Sequence, residues 1–303
     1  MSLYELFTSK GPSGFGYAST AEQVTEGVSL EGKTILVTGC NSGLGLESLR
    51  VLKLRGARVV GTARTVDKAR AAGSSVPLAC ELSDPASVRA CVESVRREGV
   101  RLDAILCNAG IMALPKLAQA HGFELQFFTN HIGHFILVTG LLDLLADDGR
   151  VVMLSSAAHQ MAPKAGIEFD NLSGEKRYGS WRAYGQSKFA NLLFAKELAR
   201  RFVGTKHVAN AVHPGVISTN LSRHLHAGIS VIVGLVGWVG QKSVPQGAAT
   251  QLYAAVHPAT ATTSGHYFAD CNVAKNRPDA DDPAIAKRLW EVSEEIVARL
   301  AAR

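Results

Sequence analysis

The sequence predicts an α/β fold: a doubly wound parallel sheet of about seven strands with helices on both faces. Short runs rich in β-branched residues alternate with longer amphipathic stretches, which is the pattern of consecutive βαβ units. The chain has 303 residues, 47% of them hydrophobic, and that is enough for one large core. No repeat period or low-complexity tract interrupts the pattern. We therefore expect a polar, Gly-rich N-terminal arm at 1–30 and a single domain at 31–303.

Each predicted strand is a short apolar run, and the runs follow one another at the spacing of βαβ units. They cover 33–39, 57–64, 76–82, 102–110, 149–157, 207–215 and 264–270. Helical patterns fill the intervals, for example at 44–56, 84–98, 119–146, 181–203 and 245–256. Functional groups in such sheets lie beyond the carboxyl ends of the strands, so we expect the functional residues there.

Composition narrows the class of partner and the compartment. The net charge is +6, but the basic residues are spread in pairs such as Arg96-Arg97 without an aromatic-interleaved stripe, so we expect no nucleic-acid partner. The five cysteines are scattered and odd in number, which favours reduced, mostly buried thiols in a cytoplasmic protein. The N-terminus lacks a basic region followed by an apolar run, so no export signal is expected.

The longest apolar run lies at 229–240. It is about half of the roughly 20 residues that a membrane-spanning helix needs, so the sequence predicts no membrane span. Our first interpretation is a substrate lid at 218–245 over an apolar pocket, and the second is a peripheral membrane contact.

A Gly-rich turn follows the first predicted strand. The stretch TGCNSGLG at 38–45 lies between a strand and a helix, with its glycines in a G-x-x-x-G-x-G spacing. Glycines let the backbone approach a pyrophosphate, and the helix N-terminus supplies free N–H groups and a partial positive charge. This context predicts a Rossmann-type dinucleotide site, and the alternative is a Gly-rich turn with no ligand. The loop residues of the predicted site are Gly39, Asn41, Ser42, Gly43, Leu44 and Gly45.

The second predicted strand indicates which dinucleotide binds. Sheets that bind NAD usually carry an acidic residue at the end of this strand, where it accepts hydrogen bonds from the ribose 2′-hydroxyl. Here Ala63 occupies that place and Arg64 follows it. A guanidinium binds a 2′-phosphate through a fork of donors, whereas a carboxylate would repel it. We therefore predict NADP(H) in preference to NAD(H); the alternative for Arg64 is an ordinary surface arginine.

The stretch AYGQSKFANLLFAKEL at 183–198 has the spacing of an amphipathic helix, with Tyr184 and Lys188 at its start. Positions four apart are neighbours on one helix face. A free phenol has a pKa near 10 and is a poor base at neutral pH. A neighbouring ammonium, together with the positive ring of an oxidised nicotinamide, favours the phenolate and lowers that pKa. The pair therefore predicts an acid and base for carbonyl chemistry, and the alternative is an exposed helix pair.

Two histidines in the stretch HIGH at 131–134 have an H-x-x-H spacing. No acidic general base or third ligand accompanies them, so the sequence predicts no metal site. We interpret these two, His159 and His213 as local structure, with His159 a candidate for the border of a substrate pocket.

Six short motifs, in order, resemble those of the short-chain dehydrogenase/reductase family. They are TGCNSGLG (38–45), CNAG (107–110), NHIGHF (130–135), SS (155–156), YGQSK (184–188) and HPG (213–215). The resemblance covers 30–300. More narrowly, FDNLSGEKRY, AVHPGV and QGAATQLYAA resemble the branch of the retinol dehydrogenases and the WW-domain oxidoreductase, although no WW domain is visible in this chain.

The resemblance implies a catalytic tetrad of Asn130, Ser156, Tyr184 and Lys188. In the family the tyrosine exchanges the proton, the lysine also holds the nicotinamide ribose, and the serine orients the substrate oxygen. The asparagine helps to hold a water that relays protons to the lysine; a local helix bond is the alternative for Asn130. Ser155 competes with Ser156 for the role of the serine.

The resemblance also implies supporting contacts to the cofactor. By motif these fall to Glu81, Leu82, Asn108, Ala109, Gly110, Pro214, Gly215, Val216 and Thr219. Two positions depart from the family pattern. Glu81 stands where an aspartate usually meets the adenine, and Cys107 replaces the first asparagine of the common NNAG.

Together these patterns predict an NADP(H)-dependent oxidoreductase that interconverts an apolar aldehyde or ketone and its alcohol. The apolar side chains of 220–245 favour an aliphatic, aromatic or polycyclic substrate over a sugar, and 157–182 is expected to bound the entrance. Two alternatives remain: reduction of a C=C bond, as in the protochlorophyllide reductases, and an NADP(H)-sensing interaction protein of low turnover. A homodimer or homotetramer is expected, as is common in the family.

Overall fold

The structure is a computed structural model, and it describes residues 9–217 and 241–302. A sheet of eight strands forms the centre of this described part. The strands in chain order are β1 (Thr34–Thr38), β2 (Arg58–Ala63), β3 (Val76–Ala79), β4 (Leu102–Cys107), β5 (Gln119–Ala120), β6 (Phe123–Glu124), β7 (Leu145–Leu154), β8 (Val208–His213), β9 (Tyr267–Ala269) and β10 (Asn272–Val273). Their order in the large sheet is β10-β9-β8-β7-β4-β1-β2-β3, and β5 pairs with β6 in a separate hairpin.

The helices fill the crossovers between the strands. In chain order they are α1 (Ala21–Val24), α2 (Gly43–Leu54), α3 (Val66–Ala71), α4 (Pro85–Arg97), α5 (Leu125–Phe127), α6 (Gly133–Thr139), α7 (Ser180–Arg201), α8 (Val244–Val256) and α9 (Pro283–Ala301). A π-helical turn spans Phe128–Ile132, and 3₁₀ turns span Leu142–Leu144, Ala157–Met161, Phe169–Asn171, Pro258–Thr260 and Pro278–Asp281.

The large sheet is parallel except at one edge. Neighbours from β9 to β3 are parallel, and β10 runs antiparallel to β9. From β1 the chain winds outward to β2 and β3, then returns to β4 on the other side of β1 and continues through β7 and β8. This topology confirms the predicted doubly wound sheet, and it places the reversal of strand order between β1 and β4, where such folds bind ligands.

The strand β1 shows why helices cover both faces of the sheet. All five of its residues are buried, and alternate side chains of a strand point to opposite faces. Leu36 belongs to an apolar core shared with α4, α6, α7 and α9, whereas Ile35 and Val37 belong to a second core shared with α1, α2 and α8. A strand buried on both sides therefore has a continuous apolar sequence without polar alternation.

The described part of the predicted N-terminal arm, from residue 9, packs on the domain. The Phe15 ring lies edge-on to Tyr253 of α8, with centroids 5.7 Å apart, and the amide of Ser13 donates to Asn272 Oδ1. Thr20 and Gln23 form a reciprocal capping box that begins α1. This segment is rich in glycine, and it nevertheless packs against the domain.

The prediction of one helix across 119–146 is wrong at both ends. Residues 119–124 form the hairpin β5–β6, whose turn places His121 at φ 55° and Gly122 at φ 85°. The helical part runs through α5, the π turn and α6 and ends at Thr139. The last residues of the predicted helix form a 3₁₀ turn and the start of β7 instead.

The larger part of the predicted lid, 218–240, lies outside the described residues, as does Thr219. The bases of this segment meet in a parallel bridge between Ile217 and Lys242, where the Lys242 amide donates to the Val216 carbonyl over 2.8 Å. Among the helices of the described ranges, none combines the length and apolar character that a membrane crossing requires.

Candidate active site

Tyr184 and Lys188 lie one turn apart in the first half of α7 and face the carboxyl edge of the sheet. Both are buried, with 7% and 3% of their surfaces exposed, which removes the alternative of an exposed helix pair. Lys188 Nζ donates to the Leu154 carbonyl, where β7 ends, over 2.9 Å, and lies 5.8 Å from the centroid of the Tyr184 ring. A phenol and an amine are therefore held together in an apolar setting.

The structure separates the two candidate serines that follow β7. Ser155 is 1% exposed, and its hydroxyl donates to the Lys188 carbonyl over 2.7 Å, so it fastens α7 to the sheet. Ser156 is partly exposed and begins the 3₁₀ turn Ala157–Met161, where its hydroxyl accepts from the Ala158 amide over 3.1 Å. It is also near enough to the Tyr184 phenol to lower its pKa. This geometry favours Ser156 as the serine that faces a substrate.

The surroundings of the pair set the protonation states of the two groups. Burial raises the pKa of Tyr184 to about 12, and the hydrogen bond with Ser156 acts in the opposite direction. Burial lowers the pKa of Lys188 to about 8. The lowered pKa was expected from Lys188 together with the positive nicotinamide ring; in the chain alone, burial of the phenol raises the pKa instead. At neutral pH the phenol keeps its proton, which is the form that donates.

Asn130 lies in the middle of the π turn and is fully buried. Its Oδ1 accepts from the Ile111 amide over 2.8 Å, and its Nδ2 donates to the Ile111 carbonyl and to Ser187 Oγ, both over 2.9 Å. Both amide hydrogens therefore bind the protein itself. A Cβ built on Gly110 would lie 3.0 Å from Asn130 Oδ1 and 3.5 Å from Lys188 Nζ, so these polar groups flank one point after β4.

The H-x-x-H histidines bind separate partners. His131 Nε2 lies 2.9 Å from Ser293 Oγ on α9, whereas His134 Nε2 lies 2.9 Å from Thr38 Oγ1 at the end of β1. Burial lowers the pKa of His131 to about 3 and that of His134 to about 4, so both rings are neutral. Within residues 9–217 and 241–302 no group of His, Cys, Asp and Glu side chains has the arrangement of a metal site.

The N-terminus of α2 is suited to a pyrophosphate. Its N-cap residue Ser42 makes no side-chain hydrogen bond to the first turn. By contrast α4, α8 and α9 are capped by the side chains of Asp84, Ser243 and Asp282. A first turn whose N–H groups lack a side-chain acceptor, at the carboxyl end of a central strand, fits the phosphates of a dinucleotide.

Two glycines of this loop are required by its geometry. Gly39 has φ 68°, in the left-handed region that disfavours other residues. A Cβ on Gly45 would lie 2.1 Å from the Gly39 carbonyl oxygen and 2.6 Å from Asn108 Nδ2, so α2 packs directly on the end of β1. Between them Asn41 and Ser42 are exposed.

The remaining predicted cofactor residues from β1 to β4 lie along the same edge. Arg64 follows β2 with 69% of its side chain exposed, and its Nε lies 3.5 Å from Glu81 Oε2. Leu82 is buried and its carbonyl packs on Gly133 of α6, where a Cβ would approach it to 2.3 Å. The structure therefore brings Arg64 and Glu81 together as an ion pair, which the sequence did not predict.

The stretch after β4 is fastened to the loop after β1. The Asn108 side chain donates to the Thr38 carbonyl, and the Ala109 amide donates to Thr38 Oγ1, both over 2.9 Å. The backbone from Asn108 to Gly110 is thus fixed between β1 and the Asn130 side chain.

The turn after β8 contains Pro214, Gly215 and the 57% exposed Val216. Gly215 has φ 91°, and a Cβ there would lie 2.6 Å from the buried side chain of Lys242. Lys242 Nζ in turn binds Asp270 Oδ1 over 2.5 Å. The buried Lys242 side chain therefore packs against the turn at Gly215, a role that no motif in the sequence predicts.

Two further side chains at the tetrad were missed by the sequence interpretation or only partly anticipated. Trp181 lies three residues before Tyr184, and its ring is edge-on to the tyrosine ring at 6.0 Å and 79°. His159 is buried; its Nδ1 donates to the Ser156 carbonyl over 2.6 Å, and its Nε2 accepts from the Arg277 amide over 3.2 Å. The helical spacing of Trp181 from Tyr184 was a readable signal, whereas the contact of His159 with Arg277 depends on the tertiary fold.

Comparisons with known proteins extend over the whole site. The sequence model of the short chain dehydrogenase family matches residues 33–229. A protein named short-chain dehydrogenase TIC 32 A, chloroplastic, from Brassica napus is 40% identical over 99% of this chain and 100% of its own. Retinol dehydrogenase 14 from Homo sapiens is 38% identical over 89% of this chain and 88% of its own. The crystal structure of an uncharacterized protein from Mycobacterium paratuberculosis, 32% identical, has a TM-score of 0.72 and covers 90% of this chain and 97% of that one.

Proposed function

The chain belongs to the short-chain dehydrogenase family and is an oxidoreductase of its retinol dehydrogenase-like branch, and we propose that it interconverts an apolar aldehyde or ketone and its alcohol with NADP(H). The observation that carries this proposal is the buried Tyr184 beyond the carboxyl end of β7, with Lys188 Nζ 5.8 Å from its ring centroid and Ser156 nearby. An acid whose proton is retained at neutral pH, beside an amine, fits proton transfer to a carbonyl oxygen.

Each residue of the tetrad has a role that follows from its contacts. When bound, the nicotinamide supplies or accepts the hydride. Tyr184 gives its proton to the substrate oxygen as negative charge develops there, and takes it back in the oxidative direction. Ser156 donates to the same oxygen and orients it toward the phenol. The Lys188 ammonium stabilises the phenolate that remains, and Asn130 fixes the backbone beside it.

The preference for NADP(H) rests on the end of β2. Ala63 is buried there without a carboxylate, and the adjacent Arg64 guanidinium is largely exposed, paired at 3.5 Å with Glu81. A single exposed guanidinium near the adenosine ribose favours the 2′-phosphate over the 2′-hydroxyl. The remaining cofactor contacts are proposed for the loop from Gly39 to Gly45 and for the segments after β3, β4 and β8.

An apolar substrate is supported by the side chains around the tetrad. Trp181 is beside the phenol, and Met161 and Val216 expose 51% and 57% of their surfaces. A well-placed polar pair within such a lining is typical of sites for apolar ligands. We propose that 157–182 bounds the substrate entrance and that 218–245 is a lid. The name of the human relative, retinol dehydrogenase 14, suggests retinoids for a first substrate panel.

The test is the consumption of NADPH and NADH with a panel of aldehydes, ketones and an enone. We expect NADPH-dependent reduction of apolar carbonyls, abolished by Tyr184→Phe while NADPH binding is kept. Saturation of the C=C bond of the enone would instead indicate a double-bond reductase. Binding of NADPH without turnover of any panel member would indicate the sensing protein and overturn the proposal.

Assembly and compartment are also proposed. We propose a homodimer or homotetramer, which light scattering on the purified protein would test. All five cysteines are free and buried in the described structure, which suits a reducing compartment, and a cytoplasmic location is proposed on that ground. Cell fractionation with an antibody to the chain would decide it, and recovery in a membrane pellet would contradict it.

A further inference from the structure

The buried His134 connects the dinucleotide loop to the tetrad. Its Nδ1 lies 2.9 Å from the carbonyl oxygen of Asn130, and its Nε2 lies 2.9 Å from Thr38 Oγ1. We propose that His134 is a positioning residue: it holds the Asn130 turn at a fixed distance from the loop that binds the cofactor. This inference rests on the proposed function of the site.

The partners of His134 fix which ring nitrogen carries the hydrogen. A carbonyl oxygen only accepts, so Nδ1–H must donate to Asn130, and the neutral ring then accepts at Nε2 from the Thr38 hydroxyl. Thr38 Oγ1 also accepts from the Ala109 amide over 2.9 Å. Both nitrogens of His134 are therefore used, and no other side chain of this size combines a donor and an acceptor at these two places.

The Asn130 carbonyl lies where the helix changes its hydrogen-bond pattern. The Gly133 amide donates to the Phe128 carbonyl five residues earlier, which is the π pattern, and such turns recur at functional sites. His134 binds the Asn130 carbonyl with its side chain at this point. The histidine thus stabilises an expanded turn that would otherwise relax toward a regular helix.

From Asn130 the contacts continue to the catalytic helix. Its Nδ2 donates to Ser187 Oγ over 2.9 Å, and Ser187 Oγ donates to the Tyr184 carbonyl over 2.8 Å. One chain of hydrogen bonds therefore runs from Thr38 through His134 and Asn130 to α7. A shift of the π turn would displace the phenol relative to the cofactor loop, and a displacement of about 1 Å can lower a rate about a hundredfold.

His131 provides a matched control within the same motif. It is as fully buried as His134, but its ring binds Ser293 on α9 and not Thr38. At similar volume, His134→Phe removes two buried hydrogen bonds and His131→Phe removes one. Both variants are expected to unfold at a lower temperature, so thermal stability alone does not separate them.

The experiment measures kcat, the KM of NADPH and the melting temperature for wild type, His134→Phe and His131→Phe, well below both melting temperatures. We expect kcat to fall about thirtyfold or more in His134→Phe and less than about threefold in His131→Phe. Two conservative variants sharpen the readout. His134→Asn can keep only the bond to the Asn130 carbonyl, and His134→Gln only the bond to Thr38, so each should lose kcat by about tenfold or more if the bridge needs both ends.

Equal loss of kcat in the two phenylalanine variants, with an active wild type, would overturn this inference and leave the proposed function standing. Wild-type kcat in either His134→Asn or His134→Gln would overturn it as well, and that measurement serves if His134→Phe does not fold. A wild type that turns over no carbonyl would overturn the proposed function, and this inference with it.

Discussion

The guanidinium of Arg64, after β2, pairs with the carboxylate of Glu81, after β3, with Nε and Oε2 3.5 Å apart. The two strands are neighbours at one end of the sheet, so their carboxyl ends bring together two residues assigned to different parts of the cofactor. Glu81 Oε1 accepts from the amide and hydroxyl of Ser83, which holds the carboxylate in place. In the proposed complex Glu81 therefore competes with a 2′-phosphate for Arg64.

Substitutions of this pair are predicted to change cofactor preference in opposite directions. Arg64→Asp should lower kcat/KM for NADPH by about tenfold or more and leave NADH unchanged or improved, because a carboxylate repels the 2′-phosphate. Glu81→Gln should lower the KM of NADPH by a few fold, since the amide releases Arg64 and still accepts from Ser83. Steady-state kinetics with both cofactors measure the two effects. An unaltered NADPH-to-NADH ratio in Arg64→Asp would mean that the phosphate binds elsewhere.

Removing the amine of Lys188 is predicted to lower the activity and raise the stability of the protein. Lys188→Met keeps the length of the side chain and removes a charge whose burial lowers its pKa to about 8 from 10.5. The Leu154 carbonyl keeps a second donor, Asn191 Nδ2, at 3.0 Å. The variant should therefore lose turnover by several orders of magnitude and yet be more stable than wild type by roughly 2–3 kcal/mol at neutral pH.

The size of this stability difference depends on pH. Below about pH 8 Lys188 is charged in both the folded and unfolded chain, and the folded state is destabilised by the full difference. As the pH rises from about 8 to 10.5 the folded amine loses its proton before the unfolded one, so the destabilisation fades. Thermal melts of both proteins at pH 7 and pH 10 should thus show the advantage of Lys188→Met shrinking. A variant less stable than wild type at pH 7 would show that the amine stabilises the fold.

The strands and the proximity of Tyr184 and Lys188 could be predicted because their signals are local. The apolar run at 33–39 becomes β1 at Thr34–Thr38, and the i, i+4 spacing of Tyr184 and Lys188 places both side chains on the buried face of α7. The hairpin inside 119–146 was missed because its turn uses His121 in a left-handed conformation, which the residue type does not signal, within an otherwise helix-like pattern.

Contacts between distant segments could not be predicted from one sequence. The bonds of His134 to Thr38 and of His159 to the Arg277 amide each join segments that are far apart in the sequence. The pKa of Tyr184 likewise could not be predicted from the sequence. Its neighbour Lys188 suggests a lowered value, but the depth of burial, which only the fold sets, raises it to about 12.

The pH dependence of carbonyl reduction should report Lys188 before Tyr184. With a pKa of about 12 the phenol remains protonated across the measurable range, so the proton donor is present throughout. Lys188 loses its charge above about pH 8 and with it the stabilisation of the developing phenolate. At saturating NADPH, kcat should be level from pH 6 to about 8 and then decline by about tenfold per unit. A level profile up to pH 10 would assign the lysine no electrostatic role.

Trp181 is predicted to set the preference for apolar substrates. Its indole lies edge-on to Tyr184 on the first turn of α7, with ring centroids 6.0 Å apart, and a partly exposed indole offers a large apolar surface beside the reacting oxygen. Trp181→Ala should raise the KM of a long-chain or polycyclic carbonyl about tenfold and change that of a short aldehyde little, since the short substrate does not reach the ring. Trp181→Phe, which keeps an aromatic face, is the control and should retain most of the affinity. Equal changes in KM for long and short substrates would show that Trp181 supports the phenol without contacting the substrate.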